Sequence, residues 1–205
     1  MSLCIAVNNP SNFVIIAGDG RTIKGSQVVS NNHQKLTRLT EHISIFISGV
    51  QSYCEVLRFR IACKVNEQTT IDEVAKIVQS ESKVIHDEFI GICPMFYELN
   101  PKGAALATVV AFFDTKKKES GFIEYCHSDG FLPHFTKISK MTARGLRQED
   151  VIDYLPKHFN PSESIQSILG AFNHIESLDG RVGGTIAVHV ISEDGIDEYV
   201  QEMKT

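Results

Sequence analysis

Asp19, Arg21 and Lys35 carry charge toward a region that the surrounding sequence marks as core. Phe13-Val14-Ile15-Ile16-Ala17 is a continuous apolar run, the pattern of a strand buried on both faces, and it leads directly into an acid between Gly18 and Gly20. Ser2-Leu3-Cys4-Ile5-Ala6-Val7 forms a second strand, and Asn8 to Asn12 provides a turn that joins the two as a hairpin. The start of the chain therefore lies close to Asp19. A carboxylate, a guanidinium and an ammonium gathered there have two readings: a structural ion network, or a field that resets the protonation of groups placed among them.

The elements that must position these residues follow from periodicity. Gln27 to Ser30 and Gln34 to Leu36 are short extended pieces, and His42 to Gly49 alternates strongly, with Ile43, Ile45 and Ile47 on one face. A helix is expected from about Ser52 to Asn66. Thr70-Ile71-Asp72-Glu73 has capping-box spacing and opens a second helix with an apolar stripe through Val74, Ile77, Val78, Val84 and Ile85. Residues 105 to 113 form a buried strand, joined through the lysine turn 116–118 to a partner from Gly121 to His127. A short helix from Arg147 to Leu155 ends at Pro156, and Asn160-Pro161-Ser162-Glu163 starts a longer one that runs to about Ser177. Gly184 to Ile191 and Ile196 to Val200 are the last two strands. Strands, two helices, strands, two helices and strands fit an α+β fold, a four-layer α/β/β/α sandwich of two antiparallel sheets flanked by helices.

At 205 residues without a Pro/Ser-rich linker or repeat, the chain is expected to form a single domain over residues 1–205. A net charge of −5 with no clustered basic face argues against nucleic acid as a partner. No segment resembles a signal peptide or reaches membrane-spanning length, so a soluble, cytoplasmic protein is expected, without membrane association. The five cysteines are scattered, with no Cys-x-x-Cys pair, and read as reduced core thiols. The eight histidines form no His-x-x-x-His or His-Glu-x-x-His unit, so neither a metal site nor a cofactor is expected.

Several motifs, in order along nearly the whole chain, resemble those of proteasome β-type subunits and the bacterial HslV peptidase. The opening Ser2-Leu3-Cys4-Ile5-Ala6-Val7 is similar to their N-terminal strand, Ala17-Gly18-Asp19-Gly20-Arg21 to their Asp-x-Arg segment, and Lys35 follows at the family lysine's spacing. Phe46-Ile47-Ser48-Gly49 resembles the Phe-Ser-Gly strand end, and Asp179-Gly180-Arg181-Val182-Gly183-Gly184 the late Asp-x-x-Ser-Gly-Gly turn. The opening Met-Ser-Leu-Cys-Ile-Ala is also similar to that of the bacterial proteasome homologue Anbu.

The resemblance implies an N-terminal nucleophile (Ntn) hydrolase, a threonine/serine-type peptidase or amidase working inside a homo-oligomeric ring on peptide or protein substrates, with an ATP-dependent unfoldase as a further partner. Loss of Met1 would expose Ser2, whose hydroxyl is the nucleophile and whose free α-amine, with a reference pKa of about 7.7 to 8.0, is the base. Lys35 would disfavour a second positive charge at that amine, Asp19 would hold Lys35, and Arg21 would brace the cluster or the segment carrying Asp179. The Gly49 backbone N–H is the oxyanion donor by resemblance, and Thr22, His33, Ile47 and Cys54 are the substrate-binding candidates. Cys4 is the alternative nucleophile should the start of the chain lie two residues later. Val182 stands where the family has serine, and Met141-Thr142-Ala143 occupies, by rough register, the place of its Gly-Ser-Gly strand end. These two departures supply a second reading, a catalytically silent ring or scaffold subunit.

Overall fold

A computed structural model describes residues 2–101 and 103–203. β1 (Leu3–Asn9) and β2 (Phe13–Asp19) form the expected hairpin, with Asn9 paired to Phe13 and a three-residue loop between them. Ser11 in that loop takes φ 64°, the left-handed residue typical of such a connection. β3 (Thr22–Lys24) and β4 (Gln27–Ser30) make a separate two-stranded ribbon. β5 (Leu36–Thr40), β6 (Ile43–Gly49), β7 (Leu106–Asp114), β8 (Glu119–Tyr125) and β9 (His134–Thr136) form one five-stranded antiparallel sheet in chain order. The other sheet has the order β10-β1-β2-β11-β12, with β10 (Lys140–Gly145), β11 (Thr185–Ser192) and β12 (Gly195–Glu202), and is antiparallel throughout.

Alternation along the strands assigns each face to a layer. In β1, Leu3, Ile5 and Val7 join the apolar cluster under α4 (Gln148–His158) and α5 (Ser164–Leu178), whereas Cys4 and Ala6 face Phe46, Val109 and Phe122 of the opposite sheet. Ile43, Ile45 and Ile47 of β6 meet α1 (Gln51–Ala62) and α2 (Ile71–Ile92) on the other side. Three apolar clusters between four layers make the α/β/β/α sandwich, the α+β architecture expected from the sequence.

The capping box that opens α2 is fully formed: Thr70 Oγ1 accepts the Glu73 N–H and the Glu73 carboxylate accepts the Thr70 N–H. Three local differences stand out. α1 ends at Ala62 rather than Asn66, and α4 continues to His158 with Pro156 in its last turn, where one missing N–H costs a single helical bond. β9 and the short helix α3 (Phe96–Leu99) have no counterpart in the periodicity, and β10 is marked only by the resemblance at Met141-Thr142-Ala143. Of the cysteines expected in the core, Cys4 and Cys54 are buried, but Cys63, Cys93 and Cys126 are exposed on loops or helix ends.

The two sheets are also joined by a buried polar contact. The Ser44 hydroxyl on β6 lies 2.8 Å from Nδ1 of His189 on β11, while Nε2 is 3.9 Å from a Glu198 carboxylate oxygen. With the ring proton facing Glu198, Nδ1 accepts from Ser44. Burial holds this imidazole below its ordinary pKa, partly opposed by Glu198 and aided by Arg38. A histidine kept neutral in the fold takes up its proton more readily unfolded, so its stabilising contribution is complete above the unfolded value of about 6.5 and is lost as pH falls below it. His189→Gln is therefore expected to flatten the loss of stability between neutral and mildly acidic pH, read by denaturant unfolding across that range.

Candidate active site

The end of β2 supplies the anchor. Asp19 closes a strand whose inner neighbours are all apolar, and its side chain is fully buried. Its Oδ1 accepts two bonds, one from the Leu3 amide at 2.8 Å and one from the Lys35 ammonium at 3.2 Å. Oδ2 has no hydrogen-bond partner among the described residues. Lys35, just ahead of β5, donates in addition to the Arg21 carbonyl at 2.5 Å. Burial pushes the Lys35 ammonium below its usual range, with Asp19 opposing the shift. It also raises Asp19 above the usual carboxylate range, against the pull of Lys35 and the Leu3 N–H. The pair holds its charges by mutual contact in a place that disfavours both.

Arg21 completes the anchor from the other side. Its Nε donates to Asn31 Oδ1, and Nη1 to the carbonyls of Gly180 and Val182. Nη2 lies 3.1 Å from a carboxylate oxygen of Glu176 on α5, and the Arg21 N–H donates to the Gly183 carbonyl. The guanidinium thus braces the 180–183 turn, and the backbone carbonyl of the same residue receives Lys35. Glu176 was missed by sequence reasoning. A signal existed: an acid in the last turn of a helix opposes the macrodipole and needs a partner elsewhere.

Ser2, Lys35 and Gly49 line one open cavity of about 660 Å³, and the four substrate-binding candidates Thr22, His33, Ile47 and Cys54 line it too. Ser2 precedes Leu3 in the sense of the strand and shares parity with Cys4, which turns toward the space between the sheets. Gly49 takes φ 144° where β6 meets α1, and a Cβ there would overlap the Ala105 carbonyl. His33 Nε2 contacts Glu55 Oε1 at 3.2 Å, and the other Glu55 oxygen is 2.7 Å from Arg58, so the wall formed by α1 carries an ion pair that the imidazole contacts. Burial lowers the His33 pKa despite Glu55. It pushes the Cys54 thiol up to about 12.

Two expectations from motif register are relocated. Pairing sets Leu3 opposite Gly145 and Ala6 opposite Thr142, so Thr142 lies four strand positions from Ser2 and donates to Glu124 instead. The segment beside Ser2 is Gly145-Leu146: the Leu146 N–H donates to the Ser2 carbonyl at 2.8 Å, and Gly145 takes φ 113°. Asp179 does not reach the cavity. Its carboxylate grips the Arg181 guanidinium at 2.6 and 2.9 Å and lies 3.7 Å from Arg147, contacts that hold it below the usual carboxylate range. Val182 is buried in the apolar cluster under α5, and only its backbone carbonyl serves the anchor.

Cys4 is 1% exposed within β1, and burial, reinforced by Glu124, raises its thiol well above the ordinary range. Thiolate formation is therefore disfavoured there. No group of three or more metal-ligating side chains converges among the described residues, and none of the described helices is long and apolar enough to cross a membrane.

A family model described as Proteasome subunit matches residues 4–175. No curated protein matches the chain.

Proposed function

Because the chain belongs to the proteasome subunit family, a family of Ntn-hydrolase-like proteases whose subunits generally form rings, we propose that it is a peptidase or amidase acting through Ser2 once Met1 is removed, inside a homo-oligomeric ring. One observation carries the reading: a single oxygen, Asp19 Oδ1, holds both the amide that follows Ser2 and the ammonium of Lys35, and Ser2 and Lys35 line the same cavity.

In this reading the freed α-amine takes the Ser2 hydroxyl proton as Oγ attacks an amide carbonyl. The tetrahedral oxyanion is met by the Gly49 N–H, the amine returns the proton to the leaving nitrogen, and water then releases the acyl group from Ser2. Lys35 keeps the α-amine neutral by charge repulsion and favours the developing alkoxide. Arg21 holds the cluster against the 180–183 turn, and Asp179 stiffens that turn through Arg181. An ATP-dependent unfoldase and a cytoplasmic setting fit the same reading.

A catalytically silent subunit is the second reading, favoured by Val182, whose buried side chain brings no hydroxyl to the site. Protein made without added residues separates the two by intact mass before and after exposure to a β-lactone or epoxyketone probe. The enzyme reading expects loss of Met1 and one adduct per chain at Ser2, with Ser2→Ala taking none. A chain that keeps Met1 and stays unlabelled would sink it, whereas an adduct on Cys4 would relocate the nucleophile. Native mass measurement on the same sample is expected to show a closed multiple of the chain.

A further inference from the structure

We infer that Glu176 is a positioning residue for the ammonium of Lys35, acting through Arg21. For its catalytic consequence this rests on the peptidase reading; the electrostatic link itself does not. Two buried cations sit within one residue's reach of each other, since Lys35 donates to the carbonyl of the residue whose guanidinium faces Glu176. Asp19 neutralises one and Glu176 the other. The Arg21 side chain is 8% exposed and that of Glu176 18%, so solvent screens neither partner well. The remaining bonds from Arg21 go to neutral acceptors, Asn31, Gly180 and Val182, which leaves Glu176 as its one anionic contact among the described residues.

Burial is the main cause that works against the Lys35 ammonium and the positive field of Arg21 adds to it, with Asp19 on the opposing side. His33 stands on the same stretch of chain, its imidazole kept neutral by burial. Removing the Glu176 charge leaves Arg21 uncompensated and turns its full field on Lys35. The ammonium is then given up at lower pH, and the α-amine of Ser2 loses the repulsion that keeps it a base. Geometry adds a second effect, because Glu176 fixes the guanidinium whose residue offers Lys35 its second acceptor.

The test is E176Q, which keeps shape and hydrogen-bonding capacity but removes charge, with E176S as the variant to use if E176Q does not fold and E176D as the charge-retaining control. The first readout is independent of catalysis: acylation of Lys35 by acetic anhydride as a function of pH, followed by mass spectrometry. E176Q is expected to raise Lys35 acylation about tenfold at a fixed pH on the rising limb, the size of a one-unit shift, and E176D to behave as the native protein. The second readout is the pH profile of probe labelling at Ser2, whose alkaline limb is expected to move down by about the same interval. An unchanged Lys35 titration in the folded neutral variant overturns the proposal, whatever happens to labelling. A shifted titration in a protein whose native form never labels upholds the link from Glu176 to Lys35 and rejects the peptidase reading instead.

Discussion

Lys35→Met is expected to lower labelling at Ser2 by on the order of 10²–10³-fold, the scale of losing a preorganised charge at a reacting centre, and to destabilise the fold by about 3–5 kcal/mol, the scale of breaking a buried ion pair from one side. The cause is Asp19, left without a cationic partner and facing only neutral backbone N–H groups, that of Leu3 at 2.8 Å and the nearby one of Gly183. A carboxylate stranded in this way takes up a proton in the folded state at a pH well above its unfolded value of about 3.9. The folded form then binds more protons than the unfolded one, so the variant gains stability as pH falls and loses it as pH rises toward neutrality. The deficit against the native protein should therefore be visibly smaller at pH 5 than at pH 8 in denaturant unfolding. D19N/K35M removes the stranded charge and is expected to recover most of the stability while labelling stays lost. A K35M deficit that does not depend on pH would mean that Asp19 does not carry the cost.

Gly145→Ala is expected to be among the most damaging single changes outside the charged cluster. The residue sits at φ 113°, and a Cβ there would overlap the carbonyl oxygen of Ser2. Strain at that backbone geometry and the overlap together amount to about 3 kcal/mol. Relief requires β10 to draw away from the first residues of β1, which breaks the bond from Leu146 to Ser2. Labelling should accordingly fall well beyond the drop explained by unfolded protein, measured at a temperature where the variant remains folded. Gly130→Ala is the control, because it too has positive φ, at 72°, but a Cβ there meets open space. It should cost stability through backbone strain alone and leave labelling intact.

The charged cluster was legible because its sequence setting is anomalous: an acid ends an apolar run between glycines, and a lysine follows ahead of a strand. The hairpin and the capping box were legible for similar reasons, since turn residues and side-chain caps act over a few positions. β10 was not. Lys140-Met141-Thr142-Ala143-Arg144-Gly145 is fully buried only at Thr142 and Ala143, and what makes it a strand is pairing with β1, whose residues lie 132 (Asn8 to Lys140) to 142 (Leu3 to Gly145) positions earlier. Its register decides whether Thr142 or Gly145 stands beside Ser2, and register between distant strands leaves no local trace. Asp179 was placed at the site by motif alone. Its neighbour Arg181, two residues on, captures the carboxylate, which illustrates how a short-range partner can pre-empt a distant one.

The bond between Asp19 and the Leu3 amide also acts as a ruler for the start of the chain. It fixes Ser2 by counting one residue back from a buried anchor, not by the length of the hairpin loop, so lengthening the Pro10–Asn12 loop should be tolerated far better than inserting a residue between Ser2 and Leu3. A chain cut to begin at Cys4 would possess no Leu3 amide to be measured, and the anchor would lose its backbone donor together with the residue it positions. In the proposed peptidase reading, one buried carboxylate oxygen thus sets both the position of Lys35 and that of the residue it would serve.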